Sequence, residues 1–370
     1  MNILFITAFT PSEIGAAVKN TKMTLASLSE KHKVDLIYCR YKHDPIYSPP
    51  NDNITIKFVW QNVKWLKLLN VFLLPLLYPQ FTARFNWWYK SRINRLVKKN
   101  NYDAIIFDHS QMFLYARNLE NGIHKVLFSH DVVAQRAQRA YGKLAYKWCV
   151  LSEKFCLKVP NSRIFTFSQK DCKIIKNLYD FDSFVSAPYL EPNVLNVIPN
   201  KINEEFVLFG VWSRSDNLNG ALWFFDKVAH LLNKTIRIKM IGKGFTEIRL
   251  GNLNEKIIVE YLGFVEDPYV IIANCKAVLA PIFTGAGLKF KVAESLACGT
   301  PVIGTEVALE GLPEECSEWM LLANDEVSFA KYVENIDFSL ESRKKLKKRF
   351  LDCFDKDRVP DYIDSISQNV

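Results

Sequence analysis

Apolar positions along the chain fall into short unbroken runs, separated by stretches in which they recur every three or four residues. NILFIT (2–7), KVDLIYC (33–39), DAIIFDH (103–109), KVLFSHD (125–131) and RIFTFS (163–168) are continuous, not alternating, as strands covered on both faces should be. Helical patterns lie between them, beginning with PSEIGAAVKNTKMTLASLSEK after the first run. This alternation predicts a parallel sheet with helices on both faces. Residues 187–204, APYLEPNVLNVIPNKINE, hold three prolines and few periodic apolar positions, which predicts a linker. Beyond it the alternation restarts with EFVLFG (205–210), a helix around GALWFFDKVAHLL (220–232), IRIKMIG (236–242), IIVEYLGF (257–264), AVLAPIF (277–283), a helix from 290, and PVIGT (301–305).

A chain of 370 residues suits two domains of ordinary size. The expected division is an α/β, Rossmann-like domain at 1–190, a linker at 191–204 and a second Rossmann-like domain at 205–345. A helical segment at 346–370 should pack back toward the first domain. Two such halves, their parallel sheets facing a central cleft, bind ligands at the carboxyl ends of their strands. MNILFITAFTP lacks the basic start and small-residue cleavage site of a signal peptide. The longest apolar run, VFLLPLLYPQF (71–81), is short for a bilayer and carries Pro75 and Pro79, so no transmembrane helix is predicted.

Charge changes the picture more than composition does. A hydrophobic content of 49% with 24% charged residues is ordinary, but a net charge of +9 points to an anionic partner. The eight cysteines form no CxxC pair and no cluster with metal spacing, which predicts reduced thiols in a cytoplasmic protein and no metal site. Between Lys57 and Lys99 stand nine Lys/Arg residues, ten aromatics and no carboxylate. Such a stretch suits an anionic membrane surface or a lipid-linked acceptor; the plainer alternative is domain packing with a solvated basic face. No nucleic-acid-binding motif accompanies it, so nucleic acid is not expected as a partner. RKKLKKR (343–349) reads as a solvated helix face.

The densest candidate chemistry lies at GAGLKFKVAESLACG (285–299). A glycine-containing loop that enters a helix aims backbone N–H groups outward beside the positive end of the helix dipole, which makes an anion site. Gly285 and Gly287 permit close backbone approach, and Lys289 or Lys291 adds a point charge. Two positions apart, the lysines cannot share a helix face, so if one meets the ligand the other should meet solvent or a carboxylate. Glu294 either forms an i,i+3 pair with Lys291 or accepts hydrogen bonds from vicinal sugar hydroxyls.

PIFTGAGLKFKVAESLACGTPVIGTEVALEGL (281–312) resembles the donor-binding segment of the GT-B glycosyltransferases, in particular the retaining group 1 or GT4 family. The resemblance implies that Glu294 holds the ribose of a nucleotide diphosphate sugar, with N–H groups near Gly287, Leu288 and Lys289 on the diphosphate or the sugar. The family often has a second glutamate eight residues earlier, where this chain has Ala286. Its Gly-Arg-x4-Lys-Gly turn corresponds to GVWSRSDNLNG (210–220), with Arg214 present and Asn219 in place of the lysine. The missing charge is expected at Lys289, whose replacement by alanine should then raise the donor Michaelis constant.

The family's Gly-Gly pair near the donor phosphate corresponds to Gly15-Ala16; close helix–strand packing is the alternative reason for Gly15. A histidine after the strand KVLFS is implied to orient the acceptor or touch phosphate, which makes His130 the catalytic candidate and His109, after DAIIFD, the second. Asp131 reads as a cap for the next helix. Implied further are retention of configuration, a UDP-sugar as the expected donor, no metal cofactor, and a saccharide or lipid-linked saccharide acceptor in surface-glycan synthesis. The place of action would be the cytoplasm, peripheral to the inner face of the cell membrane.

Rival chemistries fit less well. MIGKGF (240–245) offers Gly-x-Gly after a strand, but Glu247 stands where a dinucleotide fingerprint needs its third glycine. DFD (180–182) follows no predicted strand, unlike the Asp-x-Asp of metal-dependent transferases. A non-catalytic partner subunit and a nucleotide-sugar 2-epimerase share the architecture and stay open as alternatives.

Overall fold

The computed structural model describes residues 1–12, 15–61, 63–119, 122–244, 255–354 and 358–368. The chain divides into two compact units, Met1–Tyr189 together with Lys356–Val370, and Leu190–Asp355. Among the described residues, the first unit has seven strands, β1 (Asn2–Thr7), β2 (Lys33–Arg40), β3 (Ile54–Gln61), β4 (Ala104–Asp108), β5 (His124–Ser129), β6 (Ser162–Thr166) and β7 (Ser183–Val185). They are all parallel, in the order β3-β2-β1-β4-β5-β6-β7. Ile3 lies opposite Val34 on one side and Ala104 on the other. The unbroken apolar runs of β1, β4 and β5 are buried nearly throughout, as the sequence pattern requires. The order reverses between β1 and β4, so the carboxyl ends of these central strands form the switch point where ligands bind in such sheets.

Helices α1 (Ala16–Lys31), α2 (Lys64–Leu73), α3 (Pro79–Thr82), α4 (Trp87–Lys99), α5 (Val133–Leu157) and α6 (Gln169–Tyr179) complete this part of the unit. Gly142, at φ 79°, breaks α5 into two arms. Glu153 on the second arm accepts hydrogen bonds from the N–H groups of Val133 and Ala134, both 2.9 Å, and from the Tyr179 hydroxyl at 2.6 Å. It therefore caps the first arm. Asp131, expected in that role, pairs with Arg136 instead.

The second unit carries α7 (Pro192–Asn196), β8 (Asn203–Phe209), α8 (Ser215–Trp223), β9 (Ile236–Ile241), β10 (Ile257–Gly263), α9 (Tyr269–Asn274), β11 (Cys275–Ala280), α10 (Phe290–Ala297), β12 (Val302–Gly304), α11 (Glu306–Leu309), β13 (Met320–Leu322), α12 (Glu326–Asn335) and α13 (Leu340–Phe354). Its strands are parallel in the order β10-β9-β8-β11-β12-β13. A Cβ on Gly220 would fall 1.8 Å from the carbonyl oxygen of Pro281, so glycine is required where α8 packs on the end of β11. The fully buried Arg343 of α13 donates to the carbonyls of Ala273 at 3.1 Å, Cys275, and Lys276 at 2.9 Å. Lys347 donates to those of Val194 and Ala297 at 3.0 and 2.9 Å. Two of the cations of 343–349 are thus anchors for backbone carbonyls, not part of a solvated face. The last helix, α14 (Val359–Ser367), belongs to the first unit. There Asp364 meets Lys31 and, at 2.8 Å, His32, and the Val359 N–H donates to Ser186.

Several expectations change. Residues 191–204 lie in the second unit and hold α7 and the start of β8. Residues 346–354 continue α13 in the second unit, whereas α14, the rest of the segment expected with the first domain, belongs to the first unit. β3, β7 and β13 escape the run-based reading, because β7 and β13 have three residues each and β3 mixes buried and exposed positions. The basic aromatic stretch also divides. Trp60 and Phe58 enter the core against Tyr89, at ring separations of 4.9 and 5.9 Å, whereas Trp65, Trp87 and Trp88 stay exposed.

Candidate functional site

In the second unit the segment 281–289 leads from β11 into α10, with Gly285 and Gly287 at φ 103° and 70°. Lys289 is the residue before the helix, with extended backbone at φ −91° and ψ 96°. Helical spacing does not govern it, and its side chain turns away from the helix. Nζ donates to the Gly287 carbonyl at 2.7 Å and pairs with Glu310 at 3.1 Å, the two side chains 11% and 4% exposed.

Lys291 is the second residue of α10. Its Nζ donates to Asn217 Oδ1 at 2.8 Å and to the Phe209 carbonyl at 3.3 Å, which places the ammonium where β8 ends and α8 begins. Burial pushes it down to about 8, with Asp216 opposing the shift. Lys291 therefore joins the amino ends of α10 and α8, two positive dipole ends meeting at one cation. Asn217 is held in turn by donating to the Val211 carbonyl at 3.0 Å. Arg214, exposed at the cap of α8, forks onto Asp216 at 2.8 and 3.1 Å. Asn219 is exposed on α8 and Leu288 is buried. Glu294, one turn past Lys291, acts electrostatically on the Tyr269 hydroxyl. That hydroxyl is pushed up by burial first and then by Glu294 and Glu191, and it donates to Glu191 at 3.2 Å.

In the first unit the two histidine candidates come together at the carboxyl ends of β4 and β5. Their rings lie 3.8 Å apart between centroids. His130 Nε2 is 2.7 Å from Asp108 Oδ1, while Thr7 and Thr21 each donate a hydroxyl to Asp108 Oδ2 at 2.7 Å. His109 Nε2 lies 3.8 Å from the same carboxylate. Burial would raise the Asp108 carboxyl, but the histidines and the hydroxyl donors outweigh it and hold it below the usual range. His109 sits at φ 73°, a costly conformation for a residue with a Cβ. Gly15 opens α1 at φ 100°, and a Cβ there would meet only Val18 at 3.7 Å. Backbone conformation, not close packing, is what requires glycine at that position.

Against known proteins, the family described as "Glycosyl transferases group 1" matches residues 204–336, the stretch that holds Arg214, Lys291 and Glu294. The chain has the GT-B fold, and its second unit carries a group 1 glycosyltransferase domain. WaaG, a glycosyltransferase involved in lipopolysaccharide biosynthesis, superposes at a TM-score of 0.66 with 13% identity, over 98% of this chain and 99% of WaaG. Anabaena Alr3699/HepE in complex with UDP and glucose superposes at 0.64 with 13% identity, over 100% of this chain and 99% of HepE. An uncharacterised 44.6 kDa protein in the cps region of Klebsiella pneumoniae is 24% identical over 285 residues, 70% of this chain and 71% of that protein.

Lys289 and Lys291 have partners opposite to those expected. Lys289 meets a carboxylate, and Lys291 meets the 210–220 turn, where Asn219 stands in place of the lysine that the resemblance implies. Asp108, Asn217 and Glu310 are site residues that sequence reasoning missed. Only Asp108 left a trace in the sequence, as a carboxylate ending a buried strand immediately before His109. Asp108, His109 and His130 each offer a ligand atom within 4.8 Å of the others, so the cluster could receive a metal ion. Both carboxylate oxygens already accept hydrogen bonds, however, and the arrangement reads as a network that fixes His130. The Glu247 of the failed dinucleotide fingerprint lies outside the described residues. Among those described, no helix is long and apolar enough to cross a membrane.

Burial pushes His109 down to about 3, His130 adding to the shift and Asp108 opposing it. An unfolded histidine titrates near 6.5, so the unfolded chain binds more protons between those values. Stability should therefore fall as pH drops from about 6.5 toward 3. Chemical denaturation of His109→Gln across that window should show a shallower decline than wild type.

Proposed function

We propose that the enzyme transfers a sugar, with retention of anomeric configuration, from a nucleotide diphosphate sugar to a saccharide or lipid-linked saccharide during surface-glycan assembly. The observation that carries this reading is Lys291 at the meeting of two helix amino ends inside the group 1 domain. A diphosphate there would receive the ammonium, the Arg214 guanidinium and backbone N–H groups near Gly287 and Leu288, while Glu294 would accept the ribose hydroxyls. Charge developing on the leaving diphosphate would be stabilised by these fixed groups, and the leaving phosphate would take the acceptor hydroxyl's proton. No pair of flanking carboxylates is needed, as it would be in a glycoside hydrolase. HepE, of the same fold, holds UDP and glucose, which supports a UDP-sugar as donor. The reaction would occur in the cytoplasm beside a membrane.

His130, held by Asp108, would orient the acceptor or contact phosphate. Asp108→Asn and His130→Ala should each lower kcat by about 10²–10³-fold, and the double variant should be little worse than either, because the two act as a unit. The overall reading is tested by thermal-shift measurements against UDP-, GDP- and dTDP-sugars. A donor stabilises the folded protein by mass action and should release nucleoside diphosphate faster when acceptor is added. If no nucleotide sugar shifts the transition and no nucleoside diphosphate appears, the assignment fails.

A further inference from the structure

Two helices of the first unit present apolar side chains to solvent at helical spacing. On α2 and the turn after it, Trp65, Leu68, Leu69, Phe72, Leu73 and Leu76 are exposed, Phe72 to 79% and Leu76 to 86%. On α5, Leu144, Trp148, Leu151 and Phe155 are exposed at intervals of three and four residues, preceded by Tyr141 just before the Gly142 break. The stripes adjoin. Trp148 donates its indole N–H to the Leu76 carbonyl at 3.0 Å and packs edge-on against Tyr78 at 5.4 Å, while the Tyr78 N–H donates to Ser152 at 2.8 Å. Contiguous apolar surface of this kind marks a binding face.

Charge selects the occupant. The sequence has no carboxylate between Asp52 and Asp103, and Glu153 is the only one in α5. That carboxylate is buried under its three donors, whereas Lys143, Lys147, Lys154 and Lys158 beside the α5 stripe are exposed. Apolar side chains fringed by lysines, with tryptophans among them, fit the interfacial zone of an anionic bilayer.

We propose that α2, the turn after it and α5 together form one face that seats on an anionic lipid surface. α5 lies outside the basic stretch 57–99, so the face is broader than that segment. The proposal stands apart from the donor site, because lipid binding needs neither donor nor transfer. Cosedimentation of the full chain with vesicles tests it. Wild type should bind vesicles of phosphatidylcholine with phosphatidylglycerol and only weakly those of phosphatidylcholine alone. Leu144→Glu with Leu151→Glu, and separately Phe72→Glu with Leu76→Glu, should each weaken binding at least about tenfold while keeping the wild-type melting temperature and donor thermal shift. Lys291→Ala should bind vesicles like wild type. Equal binding by wild type and both variants, or no preference for anionic lipid, would overturn the proposal. So would a wild-type dimer that ignores vesicles and becomes monomeric in the α5 variant, since the face would then belong to a second copy.

Discussion

Lys291→Ala should reduce kcat/KM for the donor by about 10²–10³-fold and change stability by no more than about 1 kcal/mol. The ammonium lies at the meeting of two helix amino ends and is already disfavoured by burial, so its removal costs the fold little and the anion site much. The pH dependence gives a second check. With Lys291 near 8, the charged form is lost above that value, and kcat/KM should decline on the alkaline side while kcat/KM of Lys291→Arg does not. Titration of Lys291 would not itself unfold the chain. A lysine depressed in the folded state leaves the unfolded chain binding more protons between about 8 and 10.4, and stability rises with pH in that interval. Unchanged donor kinetics in the alanine variant would remove Lys291 from the donor site.

Lys289→Met should be chiefly a stability variant, losing about 3–5 kcal/mol. Glu310 would be left with its side chain 4% exposed and without its cation. A buried carboxyl that has lost its cation favours its protonated form, so the lost stability should return as pH is lowered. Lys289→Met combined with Glu310→Leu should recover most of it, because two apolar groups replace a buried pair at small cost. Urea denaturation of the three proteins at two pH values measures this. A raised donor KM with wild-type stability would mean instead that the Lys289 charge serves the donor, as the sequence alone suggests.

The two lysines show where sequence reasoning stops. The loop–helix signal, the glycines and Glu294 are local, and each is legible from spacing. Which lysine faces the ligand depends on where the helix begins. Lys289 lies one residue outside α10 with extended backbone, so a helical face has no meaning for it, and its partner is 21 residues further on. The same limit applies in the first unit. His109 and His130 are each visible as a histidine after a buried strand, yet only the pairing of β4 with β5 stacks them, and only β1 and α1 supply the threonines that fix Asp108. Buried strands were legible because both faces are covered and the apolar run is unbroken. β3 hides among basic and aromatic residues, since its exposed positions carry charge and Lys57 pairs with Asp35 at 3.1 Å.

α14 gives the chain an unusual order of completion. Its residues close the unit that begins at Met1, through Asp364 on Lys31 and His32 and the N–H of Val359 on Ser186. During synthesis the amino-terminal half would therefore wait, its sheet formed but one helix short, until residues 359–367 have left the ribosome. The group 1 domain, contiguous in sequence, is free to mature earlier although it is translated later.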